Sequence, residues 1–300
     1  MNGSTFHRTT AIACGIAALA IFGGRAASAA DNSGNFRVMT YNILVGGETK
    51  AGGVENRGDL IREIIDGFDP DVLGINEANN WHRDGAELPE RYGKQLGMTG
   101  ILPIKHGSGV AAFVRDGIPI LQVLTDTARQ GHGLAIVAIE APDGKPVKVF
   151  ITHMMHTNPE TRMRELKEIV RYIEPDDRCI VMGDLNSLSH RDKLSLEDVP
   201  EGQRNRFTVE GEIHTGVLEG LEEAGLIDVY RKLHPEESEE DHTVGTTMST
   251  DPAHAKAKLR LDYILVTENL IDTVKSIQII NNEKTNRASD HFPIVMDMAF

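Results

Sequence analysis

Polar residues that can bind a metal ion or a phosphate stand at the ends of several apolar segments. Five strand-like runs finish in, or carry, an acidic, amide or imidazole group, and an acid–imidazole pair precedes the last run. These residues are Asn42, Glu77, His153, Asp184 with Asn186, and Asp262, followed by the pair Asp290 and His291. Burying such groups is costly unless they are paired or hold a metal. The pattern predicts one site assembled from the ends of several strands.

The segment VMGDLNS, residues 181–187, shows the pattern most clearly. Successive side chains of a strand point to opposite faces, so Asp184 and Asn186 project to the same side. Sites in α/β sheets tend to lie at the carboxyl ends of strands. Taken singly, each residue has an ordinary structural explanation: Asn42 can cap a turn, Glu77 can face water, and His153 can be a hydrogen-bonded core histidine. The recurrence of polar groups at so many strand ends favours the functional explanation.

Strand and helix signals alternate along the chain and indicate an α/β fold. Strands are expected over FRVMTYNILV, DVLGINEA, GVAAFV, IPILQVL, GLAIVAIEA, VKVFITHM, RCIVMG, LRLDYILV, VKSIQII and PIVMDMAF, and helices over GDLIREIIDGFDPD, the segment after the cap Asn158, and VLEGLEEAGLIDVYRKL. The Asp-Gly pair in APDGKP predicts a hairpin. EESEEDH, residues 236–242, reads as a solvated loop. With no repeat or linker, residues 31–300 are expected to form one domain.

The first thirty residues have the pattern of a secretory signal peptide. Arg8 precedes the apolar run AIACGIAALAIFGG, and Ala27-Ser28-Ala29 forms an A-x-A site. Cleavage is expected near Ala29 or Ala30, which predicts a secreted or periplasmic protein. The alternative is an amino-terminal membrane anchor that is never cut. No other run reaches the roughly 18 apolar residues of a membrane span.

Charge and cysteine content bound the function classes. Loss of Arg8 and Arg25 with the first thirty residues takes the formal charge from −14 to −16. A protein that holds nucleic acid mainly by neutralising phosphates is expected to carry a basic face, so this balance argues mildly against nonspecific polynucleotide binding. Only Cys179 would remain, which rules out an internal disulfide and any cysteine-rich metal site.

The motifs MTYNI, DVLGINEA, THM, VMGDLNS, RLDYILV and SDHFPIV resemble those of the endonuclease/exonuclease/phosphatase superfamily in order and approximate spacing. The resemblance covers about residues 36–300. It implies a four-layer α/β sandwich, with two packed mixed β-sheets flanked by helices and a divalent-metal phosphoesterase site at one end.

Roles for individual residues follow from this resemblance. Glu77 would be the principal Mg²⁺ ligand, with Asn42 and Asp290 nearby. The other residues would act on the substrate and the attacking water: Asp184 orients or deprotonates the water, Asn186 positions the water or the phosphate, Asp262 pairs with His291 and fixes its tautomer, and His153 helps to hold the phosphate. Sequence leaves open whether Asp184 or His291 is the general base.

The implied chemistry suits these residue types. Mg²⁺ prefers oxygen ligands and few protein contacts, and Mn²⁺ is a possible substitute. A cation and histidine donors stabilise the charge that builds up during in-line displacement at a phosphoester. The pair His153 and His156 in HMMH suggests a zinc site as an alternative, although no HExxH motif or cysteine cluster supports it.

The substrate stays open at the level of sequence. The segment before RLDY, HTVGTTMSTDPAHAKAK, lacks the aromatic residues that AP endonucleases carry there. A lipid substrate would call for an apolar rim, for which Trp81 is the sole tryptophan. A secreted nuclease, a lipid phosphodiesterase and a phosphatase of a small ester remain as options, beside a noncatalytic binder of a phosphorylated ligand. We expect a monomer without a stable membrane span.

Overall fold

A computed structural model describes residues 35–47, 57–82, 87–103, 109–236 and 238–300. The predicted signal peptide, residues 1–30, lies outside the described residues. Among the described residues, no helix combines the length and apolar character that crossing a bilayer requires.

Two six-stranded mixed sheets form the centre of the molecule. The first sheet has the order β13-β14-β1-β2-β4-β3. Its strands are β1 (Asn35–Asn42), β2 (Val72–Asn76), β3 (Met98–Ile101), β4 (Val110–Arg115), β13 (Val274–Ile279) and β14 (Ile294–Ala299). The neighbours β1 and β2 are parallel, whereas β14 runs antiparallel to β1.

The second sheet has the order β11-β12-β8-β7-β6-β5. Its strands are β5 (Ile120–Asp126), β6 (Leu134–Glu140), β7 (Pro146–His153), β8 (Cys179–Asp184), β11 (Leu226–Asp228) and β12 (Asp262–Thr267). The neighbours β7 and β8 are parallel, and β6 and β7 form the hairpin predicted from the Asp-Gly pair. A separate two-stranded hairpin joins β9 (Thr208–Val209) and β10 (Glu212–Ile213).

Helices lie along the chain between these strands. They are α1 (Arg57–Phe68), α2 (Glu87–Leu96), α3 (Pro159–Val170), α4 (Gly216–Glu223), α5 (Val229–Leu233), α6 (Glu268–Ile271) and α7 (Thr285–Ala288), with a 3₁₀ helix at Glu201–Arg206. The α3 helix begins as predicted, because the Asn158 side chain accepts a hydrogen bond from the Thr161 amide at 2.9 Å and Pro159 occupies the first turn.

The two sheets pack face to face around an apolar core, and helices cover their outer faces. The inner core includes Val38, Val72, Ile151 and Met182, all fully buried. Gly74 allows this approach, since a Cβ at that position would lie 2.9 Å from the Met182 methyl group. The architecture is the predicted four-layer α/β sandwich.

The outer layers of the sandwich each form a separate apolar cluster. On the first sheet, α1 and α2 contribute to a cluster that includes Ile61 and Tyr92. On the second sheet, α3 and α4 contribute to a cluster that includes Leu166 and Leu221. Each sheet is therefore buried on both faces over most of its width.

One helix prediction from sequence is wrong. The single helix expected over residues 217–233 is interrupted: α4 ends at Glu223, Gly225 has φ +86°, and β11 adds to the edge of the second sheet before α5 begins. Trp81, whose exposure the sequence left open, is fully buried. The segment 236–242 is the predicted loop, and its described residues 236 and 238–240 are exposed. Asp241, near its end, forms an ion pair with Arg231 at 2.6 Å and keeps only 8% of its side chain exposed.

Candidate active site

The predicted site residues meet at one end of the sandwich because of strand register. In the first sheet, Asn42 at the end of β1 lies beside Asn76 at the end of β2, and Glu77 follows directly. In the second sheet, Asp184 at the end of β8 lies between His153 of β7 and Asp262 of β12. The strand ends therefore place acidic, amide and imidazole groups of both sheets side by side.

The end of β8 depends on a glycine. Gly183 has φ +137°, and a Cβ there would lie 1.9 Å from the Thr152 carbonyl oxygen of β7. No other residue allows the backbone to pass this close. The turn that follows brings the Asn186 amide to Asp184 Oδ1 at 2.8 Å. The Gly-Asp-Leu-Asn sequence thus fixes both the path of the chain and one acceptor of the carboxylate.

Glu77 is held by groups from the end of β1 and the loop that follows it. Its Oε1 accepts a hydrogen bond from Asn42 Nδ2 at 3.2 Å, and its Oε2 accepts one from the Val45 amide at 2.7 Å. Glu77 itself has φ +59°, a conformation that is uncommon for a residue with a side chain. Asn42 Nδ2 also donates to Asp184 Oδ2 at 3.1 Å and so links the two sheets.

Asp290 lies in the segment that leads into β14. The hydroxyl of its neighbour Ser289 donates to the Asn42 carbonyl at 2.6 Å, which ties this segment to the end of β1. Burial raises the pKa of Asp290 to about 6, an effect that the charge of His291 opposes and the charge of Glu77 reinforces. Two carboxylates close enough to repel each other are a suitable environment for a cation.

His291 forms a pair with Asp262 across the two sheets. Its Nδ1 lies 2.7 Å from Asp262 Oδ2, and its Nε2 lies 3.8 Å from Asp184 Oδ2. Burial favours the neutral imidazole, but the charges of Asp262 and Asp184 outweigh it and raise the pKa of His291 well above its usual value. The pair fixes Nδ1 as the protonated nitrogen that faces Asp262 and directs Nε2 towards Asp184.

Asp184 is the residue at which the groups converge. It is 2% exposed, and its Oδ2 also lies 3.4 Å from His153 Nε2. Burial and then the charge of Asp262 raise the pKa of Asp184 to about 7, against the lowering effect of His291 and of its hydrogen bonds to Asn186 and Asn42. A carboxyl with a pKa near neutrality is suited to proton transfer.

His153 and Asn186 complete this side of the site. The His153 ring stacks on His132 with ring centroids 4.2 Å apart, and burial lowers the pKa of His153 well below its usual value. The Asn186 side chain donates from Nδ2 to the Met154 carbonyl at 3.0 Å. Asn186 has φ +49°, which asparagine tolerates better than most residues.

A family model described as the Endonuclease/Exonuclease/phosphatase family matches residues 39–291, the span that contains all of these residues. The chain belongs to this family. Its members are hydrolases that act on phosphoesters and use a divalent metal ion. The resemblance inferred from the motifs is therefore confirmed.

Solved structures of other family proteins share the fold. A family protein from Bacteroides vulgatus has a TM-score of 0.64 at 18% identity, covering 89% of this chain and 99% of its own. An AP endonuclease from Archaeoglobus fulgidus has a TM-score of 0.63 at 18% identity, and the match covers 87% of this chain and 98% of the endonuclease chain. D. rerio TDP2, complexed with a single-strand DNA product, has a TM-score of 0.61 at 16% identity, and the match covers 89% of this chain and 99% of the TDP2 chain.

The carboxylates of this family member fit a hard divalent cation. Within the described residues, two groups of three side chains place possible ligand atoms within 4.8 Å of one another: Asp184 with Asp262 and His291, and His254 with Asp290 and His291. The charge of Glu77 acts on Asp290, so these two carboxylates are the neighbouring oxygen donors that such a cation prefers. In this geometry Asn42 turns its amide nitrogen to the carboxylates while its Oδ1 accepts from the Leu44 amide at 3.1 Å, so a ligand role for Asn42 stays a prediction.

Sequence reasoning missed several residues that shape the site. Asn76 Oδ1 accepts a hydrogen bond from the Asp184 backbone amide at 3.0 Å, and Asn76 Nδ2 donates one to the Thr152 carbonyl at 2.8 Å. An amide inside the apolar strand DVLGINEA was the available signal. The buried Arg57 joins the loop after β1 to α7 by donating to the carbonyls of Ile43, at 3.1 Å, and Ala288, at 2.8 Å. Nothing in its sequence context marked it.

His254 was also missed, and it lies beside the imidazole of His291. Its ring contacts that of His291 edge to face, with centroids 5.8 Å apart. Burial, followed by the charges of His291 and Arg206, lowers the pKa of His254 to about 3, so the imidazole is neutral near pH 7. It comes from the loop segment DPAHAKAK, where no strand or motif singled it out.

Proposed function

We propose that this chain is a secreted, Mg²⁺-dependent phosphoester hydrolase in which water attacks phosphorus in line with the leaving group. The observation that carries the proposal is the position of Asp184. Its carboxylate lies within 3.8 Å of groups from both sheets: the Asn42 amide, which also contacts Glu77, and the imidazoles of His153 and His291. A cation-binding group and an anion-binding group thus share one contact residue.

Asp184 is the proposed proton acceptor for the attacking water. Water is a weak nucleophile at neutral pH, and a general base is most effective when its pKa lies near the working pH. The pKa of Asp184, raised to about 7 by burial, meets this condition. The hydrogen bond from the Asn186 amide to Oδ1 leaves Oδ2 on the side of the histidines.

The histidines are proposed to bind the phosphate. Asp262 holds the His291 ring so that Nε2 faces the site, and the raised pKa of His291 keeps a proton on that nitrogen. A protonated imidazole stabilises the negative charge that develops on the phosphoryl oxygens. His153 Nε2, 3.4 Å from Asp184, is the second donor on the same side.

Glu77 and Asp290, with Asn42 beside them, would hold the cation. Oxygen ligands of this kind suit Mg²⁺ and also Mn²⁺. When bound, the ion would neutralise charge on the phosphate and the leaving group. Burial and the charge of Glu77 raise the pKa of Asp290 to about 6, and a positive charge nearby would favour the ionised form of this carboxyl.

Several substrate classes remain open. Trp81 is buried, so the only sequence feature that suggested a lipid-facing rim no longer supports a lipid substrate. The formal charge of −14, or −16 without the first thirty residues, argues mildly against polynucleotides. A nuclease is nevertheless the main alternative, since structural relatives include an AP endonuclease and a protein in complex with a DNA product.

Secretion is proposed from the amino-terminal sequence alone. The apolar run after Arg8 and the Ala27-Ser28-Ala29 site support export and cleavage. Amino-terminal sequencing of protein recovered from the medium or periplasm tests this, with Ala30 or Asp31 expected as the first residue. A first residue at Met1 or Asn2 would contradict cleavage.

Activity is tested with bis-(p-nitrophenyl) phosphate, p-nitrophenyl phosphate, plasmid DNA and sphingomyelin liposomes side by side. The wild type should hydrolyse at least one substrate with Mg²⁺ and none with EDTA, and Asp184→Ala should be inactive on the same substrate. Cleavage of DNA alone would favour the nuclease alternative. Metal-independent hydrolysis, or equal rates for the wild type and Asp184→Ala, would contradict the proposal.

A noncatalytic phosphate-binding protein is the competing hypothesis from another class. It predicts that the wild type binds phosphate yet turns over no substrate in the panel. Because all the predicted catalytic side chains are present and meet in one place, we favour the enzyme.

A further inference from the structure

His254 contains a buried polar atom that no described residue satisfies. The side chain is 5% exposed, and its Nδ1 makes no hydrogen bond. One ring nitrogen of His254 lies within 4.8 Å of both an Asp290 oxygen and a His291 nitrogen. Buried polar atoms normally have a partner, so an unsatisfied one beside an active site points to a ligand.

The contact with Arg206 determines which kind of ligand His254 can bind. Arg206 Nη2 lies 3.4 Å from His254 Nε2. The guanidinium is itself held by Asp251, at 2.8 Å from Nη1, and by the His156 carbonyl, at 3.1 Å from Nε. Since a guanidinium can only donate hydrogen bonds, Nε2 must be the acceptor, and the proton of the neutral imidazole resides on Nδ1. The unsatisfied atom is therefore a donor.

A donor beside a fixed positive charge suits an anion and not a cation. A metal ligand would need a free lone pair, but Nδ1 carries the hydrogen and the lone pair of Nε2 faces Arg206. The guanidinium charge would also repel a divalent ion at this position. His254 therefore differs from Glu77 and Asp290, whose oxygens suit a cation.

We propose that His254 binds a nonbridging oxygen of the substrate phosphate through its Nδ1–H, and that Arg206 is the positioning residue that fixes this tautomer. The inference rests on the proposed function for the identity of the ligand as a phosphoester. It adds a third donor on the side of His291, beyond the two that His291 and His153 supply.

The test measures binding of inorganic phosphate to the full-length, Mg²⁺-loaded protein by calorimetry and so needs no turnover. His254→Gln places an acceptor near the Nε2 position for Arg206 but leaves no donor at Nδ1. His254→Asn keeps an amide donor near Nδ1. The matched control is His234→Gln, because His234 contacts the Ile277 carbonyl at 3.0 Å, away from the site.

His254→Gln should weaken phosphate binding about 10- to 100-fold, the usual effect of losing a hydrogen bond to a charged group. His254→Asn should stay several-fold closer to the wild type, and His234→Gln should be unchanged. Mg²⁺ binding should be unaffected in every variant. Thermal unfolding of each variant identifies any that is not folded, and His254→Asn then serves as the second measurement.

Several results would overturn the inference. A wild type that binds no phosphate, a His254→Gln variant that binds it as tightly as the wild type, or a loss of Mg²⁺ affinity in place of phosphate affinity each contradicts it. Asparagine as weak as glutamine would exclude Nδ1 as the donor. Failure of the proposed function is distinguishable, since it would abolish hydrolysis and leave the phosphate-binding pattern of the variants intact.

The role of Arg206 is tested by a double-mutant cycle. Arg206→Lys keeps the charge and the partner Asp251 but loses the planar group that contacts His254. Phosphate binding should fall several-fold in the wild-type background and fall no further in the His254→Gln background. A purely structural role would produce the same loss in both backgrounds and would contradict the positioning role.

Discussion

The two sheets contribute chemically different groups to the site. The oxygen side, defined as Asn42, Glu77 and Asp290, comes from the strand ends of the first sheet and offers carboxylate and amide groups. The imidazole side, defined as His153, Asp184, Asp262 and His291, is centred on the second sheet. His291 lies in the segment just before β14 of the first sheet, and its side chain pairs with Asp262 of β12 in the second sheet.

The difference suggests that the two sides bind different parts of the reacting complex and that packing of the sheets brings them together. One side suits a cation and the other suits an anion, and neither sheet alone has both. The Asn42–Asp184 hydrogen bond, at 3.1 Å, links the two sides, and the His291–Asp262 contact, at 2.7 Å, joins a residue next to the first sheet to a strand of the second. Substitutions on the two sides should therefore have separable effects on metal binding and on catalysis.

Asp262→Asn, on the imidazole side, should have a large effect on catalysis. An asparagine can no longer stabilise the protonated ring, so His291 loses both its orientation and its charge. We expect kcat/KM to fall about 10³-fold for the phosphoester that the wild type hydrolyses. Asp272→Asn, at an exposed carboxylate after α6, is the matched control and should leave the rate unchanged. A decrease in kcat/KM of less than tenfold would contradict the catalytic role of the imidazole side.

Asp184→Asn should change how stability depends on pH in the metal-free protein. Burial raises the pKa of Asp184 to about 7, whereas the unfolded chain titrates near 3.8. Between these values the folded state holds a proton that the unfolded state has released, so the free energy of unfolding falls as pH rises. Each pKa unit corresponds to about 1.4 kcal/mol, which sets an upper limit of about 4 kcal/mol.

Urea unfolding of the wild type and Asp184→Asn in EDTA, at pH 5 and pH 7.5, measures this effect. The wild type should lose stability relative to the variant as the pH increases, and Mg²⁺ should reduce the loss. Parallel pH profiles for the two proteins would contradict the raised pKa of Asp184.

Trp81→Phe should have the smallest effect and act on the oxygen side only. The indole Nε1 donates to the Gly46 carbonyl at 3.0 Å, in the loop whose Val45 amide binds Glu77. Leaving that buried carbonyl without a partner should lower the free energy of unfolding by about 1–3 kcal/mol. Mg²⁺ affinity should fall several-fold while phosphate affinity is unchanged. Equal losses of both affinities would argue against a loop effect confined to the oxygen side.

Much of this arrangement was predictable from sequence because it depends on local patterns. The apolar runs around Asn42, Glu77, His153, Asp184 and Asp262 are strands or strand ends, and parallel neighbours bring their carboxyl ends together. Gly-Asp-Leu-Asn also predicted the strand end at Asp184. The predicted site residues meet for this reason, although their individual roles stay predictions.

The features that sequence failed to predict depend on packing between distant segments. Residues 226–228 read as part of a helix, yet pairing with β12 makes them an edge strand. Trp81 lies in a polar segment, and only the fold brings it against Tyr92, with ring centroids 4.8 Å apart. His254 lies in a loop that only the fold brings next to His291. Burial of a loop residue leaves no periodic signal in the sequence.

The division between the two sides is tested most directly by calorimetric titration of Mg²⁺ into EDTA-stripped protein. We compare the wild type, Glu77→Gln on the oxygen side and Asp262→Asn on the imidazole side. Mg²⁺ affinity should fall about 100-fold in Glu77→Gln and stay within a few-fold of the wild type in Asp262→Asn. Unchanged binding in Glu77→Gln together with a large loss in Asp262→Asn would place the cation on the imidazole side and contradict the account.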